Sequence, residues 1–423
     1  MVLNNKVLKN TLWLIVDKLF LFAGGFLVSI VVAKYLGPQE MGVINYAIAL
    51  SAIPTAISQL GATHLVFNRA SKNRRSAEKL VNSSNELRVW LYLISVFCIS
   101  VWLFLANGGI DNTIIIILIL LSYFFIGHDI YQFHYNAIHK SKINAISSQI
   151  SVLISMVLRI IMVKLAMNTI FFTLPILIQN FIPWIIRKIK FNKTQLRKSV
   201  KKKYSKYFIS CGVPLMISAL SVAIYSKISL ILLGNKVGYH EVGIFSVALT
   251  LSQVWSFLPL SISTSLLSKV IAKNKIEDKI IGLTGILQIN FIMLILVVTF
   301  YTLFSVEIIE FLYGEKYIDA SWLLPILAPM GGLTVINFVS NRFISSLGGY
   351  RYLMYKMIFV CFLSILLSYL MIDSLGIKGA AISLVITEII ALSITNYFHR
   401  KSGIFKSHVN VLRSFEIKRV IYD

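Results

Sequence analysis

The amino-acid sequence predicts an all-α integral membrane protein with twelve transmembrane helices in two parallel six-helix lobes. Three observations predict this fold: an apolar composition, a series of apolar stretches of membrane-spanning length, and a phrase repeated in the two halves. Of the 423 residues, 57% are hydrophobic and only 14% are charged, and the mean hydropathy is +0.79. A soluble protein of this size carries far more polar surface. The chain is therefore expected to lie in a membrane.

Apolar stretches recur along almost the whole chain. A helix of about 20 apolar residues is long enough to cross a hydrocarbon core of about 30 Å. The predicted spans are residues 10–35, 41–67, 87–106, 113–136, 144–167, 169–186, 207–233, 242–267, 280–304, 322–346, 352–372 and 377–397. Because the number of spans is even, both termini are expected on the same side of the membrane.

The positive charge is concentrated in alternate connections between these spans. The formal net charge is +24, and 31 of the 41 Lys and Arg residues lie in the N-terminal segment, the connections on its side and the C-terminal tail, with Arg88 at the first turn of span 87–106 counted in the adjacent connection. Since Lys and Arg accumulate in cytoplasmic loops, both termini are predicted to be cytoplasmic. The charge then reflects topology and contact with anionic membrane lipids, and it does not indicate a nucleic-acid site.

A repeated phrase relates the two halves. The sequence EMGV at residues 40–43 corresponds to EVGI at residues 241–244, and each lies where the first span of its half gives way to the second. Because six spans separate the copies, the repeats are parallel, and a site between two such lobes can open to either side by rigid-body motion. The predicted division is an N-lobe at 1–190, a basic cytoplasmic linker at 191–206, a C-lobe at 207–400 and a basic cytoplasmic tail at 401–423.

Ionisable side chains within the spans are the main candidates for function, because each costs about 2.5–3.5 kcal/mol at a helix centre. Lys18 and Lys227 lie on the first span of each half and are predicted to face a cationic lumen that binds substrate. Two arginines extend the predicted cationic set, and three acidic residues are candidates for ion coupling; these five are Arg159, Arg342, Asp17, Asp129 and Glu388.

Structural roles compete with these assignments. Arg342 and Lys356 lie about one turn from the cytoplasmic end of their spans, where snorkelling to the headgroups accounts for them. Asp129 and Arg159 lie on consecutive helices and could pair inside the first lobe. The polar stretch 187–206 is interpreted as a solvated linker that fixes orientation.

Neither a catalytic motif nor a metal-ligand spacing is present in the sequence. There is no glycine-rich phosphate loop, nucleophile triad or Cys/His cluster in a loop long enough to form a catalytic domain. The protein is therefore predicted not to be an enzyme and to need no cofactor or metal, with H+ or Na+ as candidate coupling ions.

Five segments in order resemble the polysaccharide flippases of the Wzx type, which handle units such as O-antigen and belong to the multidrug/oligosaccharidyl-lipid/polysaccharide exporter superfamily. They are NTLWLIVDK at 10–18, AKYLGPQEMGVINYA at 33–47, LGATHLVFNRA at 60–70, EVGIFSVA at 241–248 and FLYGEKYIDAS at 311–321. The resemblance implies two six-helix lobes around a central cavity, lined by the first two spans of each lobe. It also implies that Lys18 and Lys227 are cationic lumen residues.

The same resemblance implies a function and a setting. The expected activity is movement of undecaprenyl-diphosphate-linked oligosaccharide repeat units, of the O-antigen or capsule type, to the outer leaflet of the bacterial inner membrane by alternating access. A polysaccharide polymerase and a chain-length regulator are candidate protein partners. The alternatives are a cation-coupled multidrug exporter, a peptidoglycan precursor flippase of the same superfamily, and a scaffold for polysaccharide assembly that transports nothing.

Overall fold

The computed structural model describes residues 5–105, 110–195, 202–399, 402–413 and 416, with side chains from residue 24 onward except at 110, 202 and 412. The regular elements within these ranges are helices. They are α1 (Asn5–Gln59), α2 (Ala62–Lys72), α3 (Arg74–Leu105), α4 (Ile110–His128), α5 (Tyr131–Ala137), α6 (Ser141–Lys164), α7 (Thr173–Thr194), α8 (Lys202–Lys236), α9 (Tyr239–Val254), α10 (Phe257–Ala272), α11 (Ile276–Tyr313), α12 (Ala320–Leu327), α13 (Met330–Ser346), α14 (Tyr350–Leu392), α15 (Ile394–Tyr397) and α16 (Ile404–Arg413), with short 3-10 turns at Thr169–Phe172 and Glu315–Tyr317.

The helices account for the predicted spans. In the described residues, nine helices are long and apolar enough to cross a membrane, or ten if the bent pair of α9 and α10 forms one span. Two of these helices are each two helices joined at a glycine, because Gly37 in α1 and Gly376 in α14 have non-helical backbone angles with φ of +77° and +57°. An unbroken helix of 43 residues, the length of α14, would extend about 65 Å, more than twice the hydrocarbon thickness.

The turn at Gly376 is tight. A Cβ atom at Gly379 would lie 1.8 Å from the backbone oxygen of Met371, so the chain after the turn returns directly against the chain before it. Positive φ favours glycine at residue 376, and the close approach requires glycine at residue 379. With α1 and α14 each divided in two, the helices match the twelve predicted spans.

The chain forms two compact units, residues 1–227 and 228–423, that divide within α8. In the first unit, α1 packs on α4 and α6, and α7 packs on α4 and α6. An apolar core near the ends of these helices joins α2, α3, α5, α7 and the start of α8. Its largest buried side chains include Leu80, Tyr135, Phe191 and Phe208.

The second unit has its core among α10, α11 and α13. Leu283, Leu287, Val339 and Phe343 are buried there, and Ile404 from α16 is buried with them. The amphipathic helix α16 therefore packs as part of this unit.

Large apolar side chains remain exposed along the spans, for example Phe97, Leu296 and Phe362. Exposure of this extent on helices of membrane-spanning length is expected where lipid takes the place of water. The protein is a multi-pass membrane protein.

Candidate functional site

Asp129 and Arg187 form a buried ion pair in the first unit. Asp129 lies in the two-residue break between α4 and α5, and Arg187 reaches it from α7. The Arg187 guanidinium donates hydrogen bonds to Asp129 Oδ2, to the backbone oxygen of Asn144 at 3.1 Å and to Ser148 Oγ at 2.7 Å. Each charged side chain is 6% exposed. The pair therefore ties α7 to the helix break and to α6.

The expectation that Asp129 pairs with Arg159 is wrong. Arg159 Nη2 donates instead to Gln179 Oε1 at 3.2 Å, which joins α6 to α7. Asp129 pairs with Arg187 instead. The burial of Arg187 also shows that the interpretation of residues 187–206 as a solvated linker is wrong at its first residue. The helix α7 continues to Thr194, so its last turns bury Arg187 within the unit.

Arg88 is a second buried cation that sequence reasoning missed. It is fully buried on α3. Its Nε donates a hydrogen bond to the backbone oxygen of Ser58 at 2.8 Å, and its Nη2 donates one to the backbone oxygen of Gly127. Both oxygens belong to the last turn of a helix, α1 or α4, where carbonyl groups lack helical partners. The sequence predicts Arg88 at the first turn of the span 87–106, with its charge belonging to the cytoplasmic connection. Its observed role is to satisfy two helix ends.

The two lysines predicted to face the lumen are only partly described. Asp17 and Lys18 lie on α1, and their side chains are outside the described residues. Lys227 lies on α8 and is partly buried. Among the side chains that the structure describes, no carboxylate forms an ion pair with Lys227, whereas Lys236 on the same helix lies 2.6 Å from Asp373 Oδ1.

Lys356 is the centre of a buried polar cluster in the second unit. It lies on α14 and is 4% exposed. Its ammonium group donates to Asn337 Oδ1 at 3.0 Å, to Asn341 Oδ1 at 2.7 Å and to Asn396 Oδ1 at 2.8 Å. We call the three asparagine side chains the amide cage.

Glu388 belongs to the same cluster and is connected to the lysine through Asn337. It is 3% exposed, and its Oε1 accepts a hydrogen bond of 2.8 Å from Asn337 Nδ2. The carboxylate and the ammonium are therefore joined through one amide side chain, and the buried cluster contains one group of each charge. Asn337 and Asn341 are one turn apart on α13, and Asn396 lies on α15. Lys356 and Glu388 lie on the first and second halves of α14, so the cluster links four helical segments.

The structure places Arg342 and Lys356, the two cations that snorkelling was expected to explain, in different environments. Arg342 is exposed, and its guanidinium lies 5.7 Å from the ring centre of Phe338. Lys356 does not reach toward an interface, because its ammonium is enclosed by amide oxygens. Snorkelling is therefore wrong for Lys356. The sequence feature that could have indicated this cluster is the set of asparagines in neighbouring spans, which are polar but uncharged.

Comparison with known proteins decides the family. Residues 7–274 match the family described as polysaccharide biosynthesis protein. This chain belongs to the polysaccharide biosynthesis protein family. It is also 23% identical over 410 residues to the capsular polysaccharide biosynthesis protein CapF of Staphylococcus aureus, an alignment that covers 93% of this chain and 100% of CapF.

Solved structures share the fold of this family member. An inward-facing multidrug resistance MATE family transporter of the MOP superfamily superposes with a TM-score of 0.69 at 16% identity, covering 90% of this chain and 94% of the transporter. The lipid II flippase MurJ in an inward closed conformation also gives a TM-score of 0.69, at 15% identity, with 94% and 90% of the two chains covered. A MOP superfamily transporter from Pyrococcus furiosus gives 0.63 at 16% identity, over 94% of this chain and 95% of that chain.

The family and the fold class predicted from the sequence are confirmed by these similarities. The polysaccharide biosynthesis match agrees with the resemblance to polysaccharide flippases. The transporter folds agree with an all-α membrane protein of two helical lobes.

Proposed function

We propose that this polysaccharide biosynthesis family member is a flippase for undecaprenyl-diphosphate-linked oligosaccharide repeat units, of the O-antigen or capsule type. It moves them from the cytoplasmic to the outer leaflet of the bacterial inner membrane by alternating access, with both of its own termini cytoplasmic. The observation that carries the proposal is membership of a polysaccharide biosynthesis family by a chain with a transporter fold. The name of CapF, a capsular polysaccharide biosynthesis protein, supports a capsule-type substrate.

The chemistry of such a substrate explains why a protein is needed. A diphosphate and its sugars cannot enter hydrocarbon unaided, because their charges and hydroxyl groups would lose hydration. The lipid tail has no such barrier and can remain in the bilayer. The protein must therefore supply a polar, cationic surface for the headgroup alone.

Lys227 is the described residue that best fits this requirement. Its ammonium is a compact charge on a flexible stem, and the side chains that the structure describes offer it no carboxylate as an ion-pair partner. We propose that Lys227 contacts the diphosphate and that Lys18 acts with it from α1. With the cell interior negative, outward movement of the anion gains about 2.3 kcal/mol per charge per 100 mV.

The test compares Lys227→Gln with Lys236→Gln. Both lysines lie on α8, but Lys236 already has Asp373 as a partner and serves as the matched control. Purified variants are reconstituted into proteoliposomes that contain an undecaprenyl-diphosphate-linked oligosaccharide, and a membrane-impermeant glycosidase reports the sugar that has crossed. Lys227→Gln should slow flipping about tenfold or more, because a charge-assisted contact is worth about 1.5–3 kcal/mol. Lys236→Gln should flip at nearly the wild-type rate.

The two parts of the proposal can fail separately. Wild-type protein that leaves the inner-leaflet sugar protected would refute the flippase. Equal rates for both variants would refute the role of Lys227 and leave the flippase in place.

A further inference from the structure

The amide cage around Lys356 has the ligand pattern of a cation site. An ammonium group has three N–H donors, and here each donor has an amide oxygen at 2.7–3.0 Å. These distances are those of charge-assisted hydrogen bonds. The cage therefore replaces the hydration of the charge completely.

The orientation of the three amides is fixed by their other hydrogen bonds. Asn337 Nδ2 donates to Glu388 Oε1 at 2.8 Å, Asn341 Nδ2 donates to Asn337 Oδ1 at 3.2 Å, and Asn396 Nδ2 donates to the backbone oxygen of Leu392 at 2.7 Å. Because each NH2 group has its own acceptor, each oxygen is left to point at the centre of the cage. The cage would thus keep its polarity without the lysine, since none of these three bonds involves Lys356.

The distances from Lys356 Nζ to the three amide oxygens indicate the size of ion that fits the cage. Mg²⁺ requires oxygen ligands at about 2.0–2.1 Å and Ca²⁺ at about 2.3–2.6 Å, both shorter than the distances in the cage. Neutral carbonyl oxygens that replace a hydration shell are the ligands of monovalent cations such as K+. The carboxylate of Glu388, which accepts a hydrogen bond from Asn337, balances one positive charge. The cage therefore suits a singly charged ion of the size of ammonium or potassium.

We propose that the amide cage is a binding site for a monovalent cation of ammonium or potassium size, and that the Lys356 ammonium is its covalently attached occupant. In the native protein the Lys356 ammonium occupies the cage, whereas a cage without the lysine would bind a free cation from solution. While Lys356 occupies the cage, its charge can change only by loss of a proton from Nζ to an acceptor such as water, which leaves a neutral amine. Ion coupling through this cage would therefore be carried by H+.

The experiment removes the attached cation and offers free ones. Full-length Lys356→Ala is purified in lipid nanodiscs, and its melting temperature is measured in KCl, NH4Cl, methylammonium chloride and N-methyl-D-glucamine chloride at equal ionic strength. K+, NH4+ and methylammonium should raise the melting temperature by about 3–5 °C at tenfold the dissociation constant, relative to the bulky N-methyl-D-glucamine. Wild-type protein should show no such difference, because its cage is occupied.

Two variants separate cage binding from general salt effects. Lys356→Met fills the site with an apolar chain of similar length and should be insensitive to the choice of cation. Asn341→Leu in the Lys356→Ala background removes one oxygen and should weaken the cation effect at least tenfold in concentration.

Three results would overturn the inference. They are equal melting temperatures of Lys356→Ala in all four salts, an equal response of Lys356→Met, and failure of Lys356→Ala to fold in every cation. The readout is stability and not transport, so the inference and the proposed flippase activity can each fail without the other.

Discussion

Replacing Asp129 by Asn should destabilise the first unit by about 3–5 kcal/mol, because the change leaves the Arg187 guanidinium buried without its counter-charge. Both side chains are only 6% exposed, so water cannot take over the role of the carboxylate. Arg187 donates its two other hydrogen bonds to neutral acceptors, the backbone oxygen of Asn144 and Ser148 Oγ, which do not balance its charge. At about 2–4 °C per kcal/mol for a unit of this size, the melting temperature should fall by about 6–20 °C.

Thermal unfolding of the purified protein, followed by tryptophan fluorescence, measures this loss. The double variant Asp129→Leu/Arg187→Met removes both charges and should recover most of the stability, since apolar replacement of a whole buried pair is often neutral. Asp373→Asn is the matched control, because it breaks the Lys236 pair in which the aspartate is 53% exposed. An exposed pair of this kind contributes about 0–1 kcal/mol.

The double variant also decides whether the reasoning is correct. If the losses measured for Asp129→Leu and for Arg187→Met as single variants simply add in the double variant, the side chains are not coupled and the ion pair is not the cause. A loss for Asp129→Asn no larger than that for Asp373→Asn would lead to the same conclusion.

Three further predictions concern other positions. Arg88→Met should lower the melting temperature by leaving two helix-end carbonyls without a donor, and Arg88→Lys should not restore it, because one ammonium cannot reproduce the two-pronged guanidinium contact. Gly212→Ala should destabilise the first unit in the same assay, because its Cβ would lie 2.5 Å from the backbone oxygen of Leu60, whereas Gly25→Ala meets no atom within 4 Å and should be neutral or slightly stabilising. Burial lowers the pKa of His408 to about 4 from 6.5, so the unfolded state binds more protons between these values and the docking of α16 should weaken as pH falls through that range. Hydrogen exchange of residues 404–413, corrected for its intrinsic pH dependence, should increase over this range in the wild type and change less in His408→Phe.

Hydropathy predicted the spans well because their cause is local. A stretch of apolar residues must lie in hydrocarbon wherever its neighbours pack, so the positions of the helices follow from the sequence alone. The same local signal placed a connection near Gly37 and another near Gly376, where the structure has its breaks. The repeated phrase likewise predicted two parallel halves.

The partners of the charged residues could not be predicted in this way. Arg88 and Arg187 were attributed to cytoplasmic connections because a count along the chain cannot distinguish a solvated arginine from one buried at a helix end. Their burial depends on which helices pack together, and the Asp129 pair joins residues 58 positions apart. Lys356 needs partners from two other helical segments, because Asn337 lies 19 residues from it and Asn396 lies 40 residues from it. Nothing in the hydropathy of either segment indicates that their amides converge.

The turn at Gly376 has a consequence for how the chain enters the bilayer. The backbone returns at once against the carbonyl of Met371, so the last two spans share a connection of only a few residues. Such a pair can partition from the translocon as a preformed hairpin, with only a short polar connection around Asp373 to be carried across. An epitope tag inserted at this turn should therefore block biogenesis of the last two spans together.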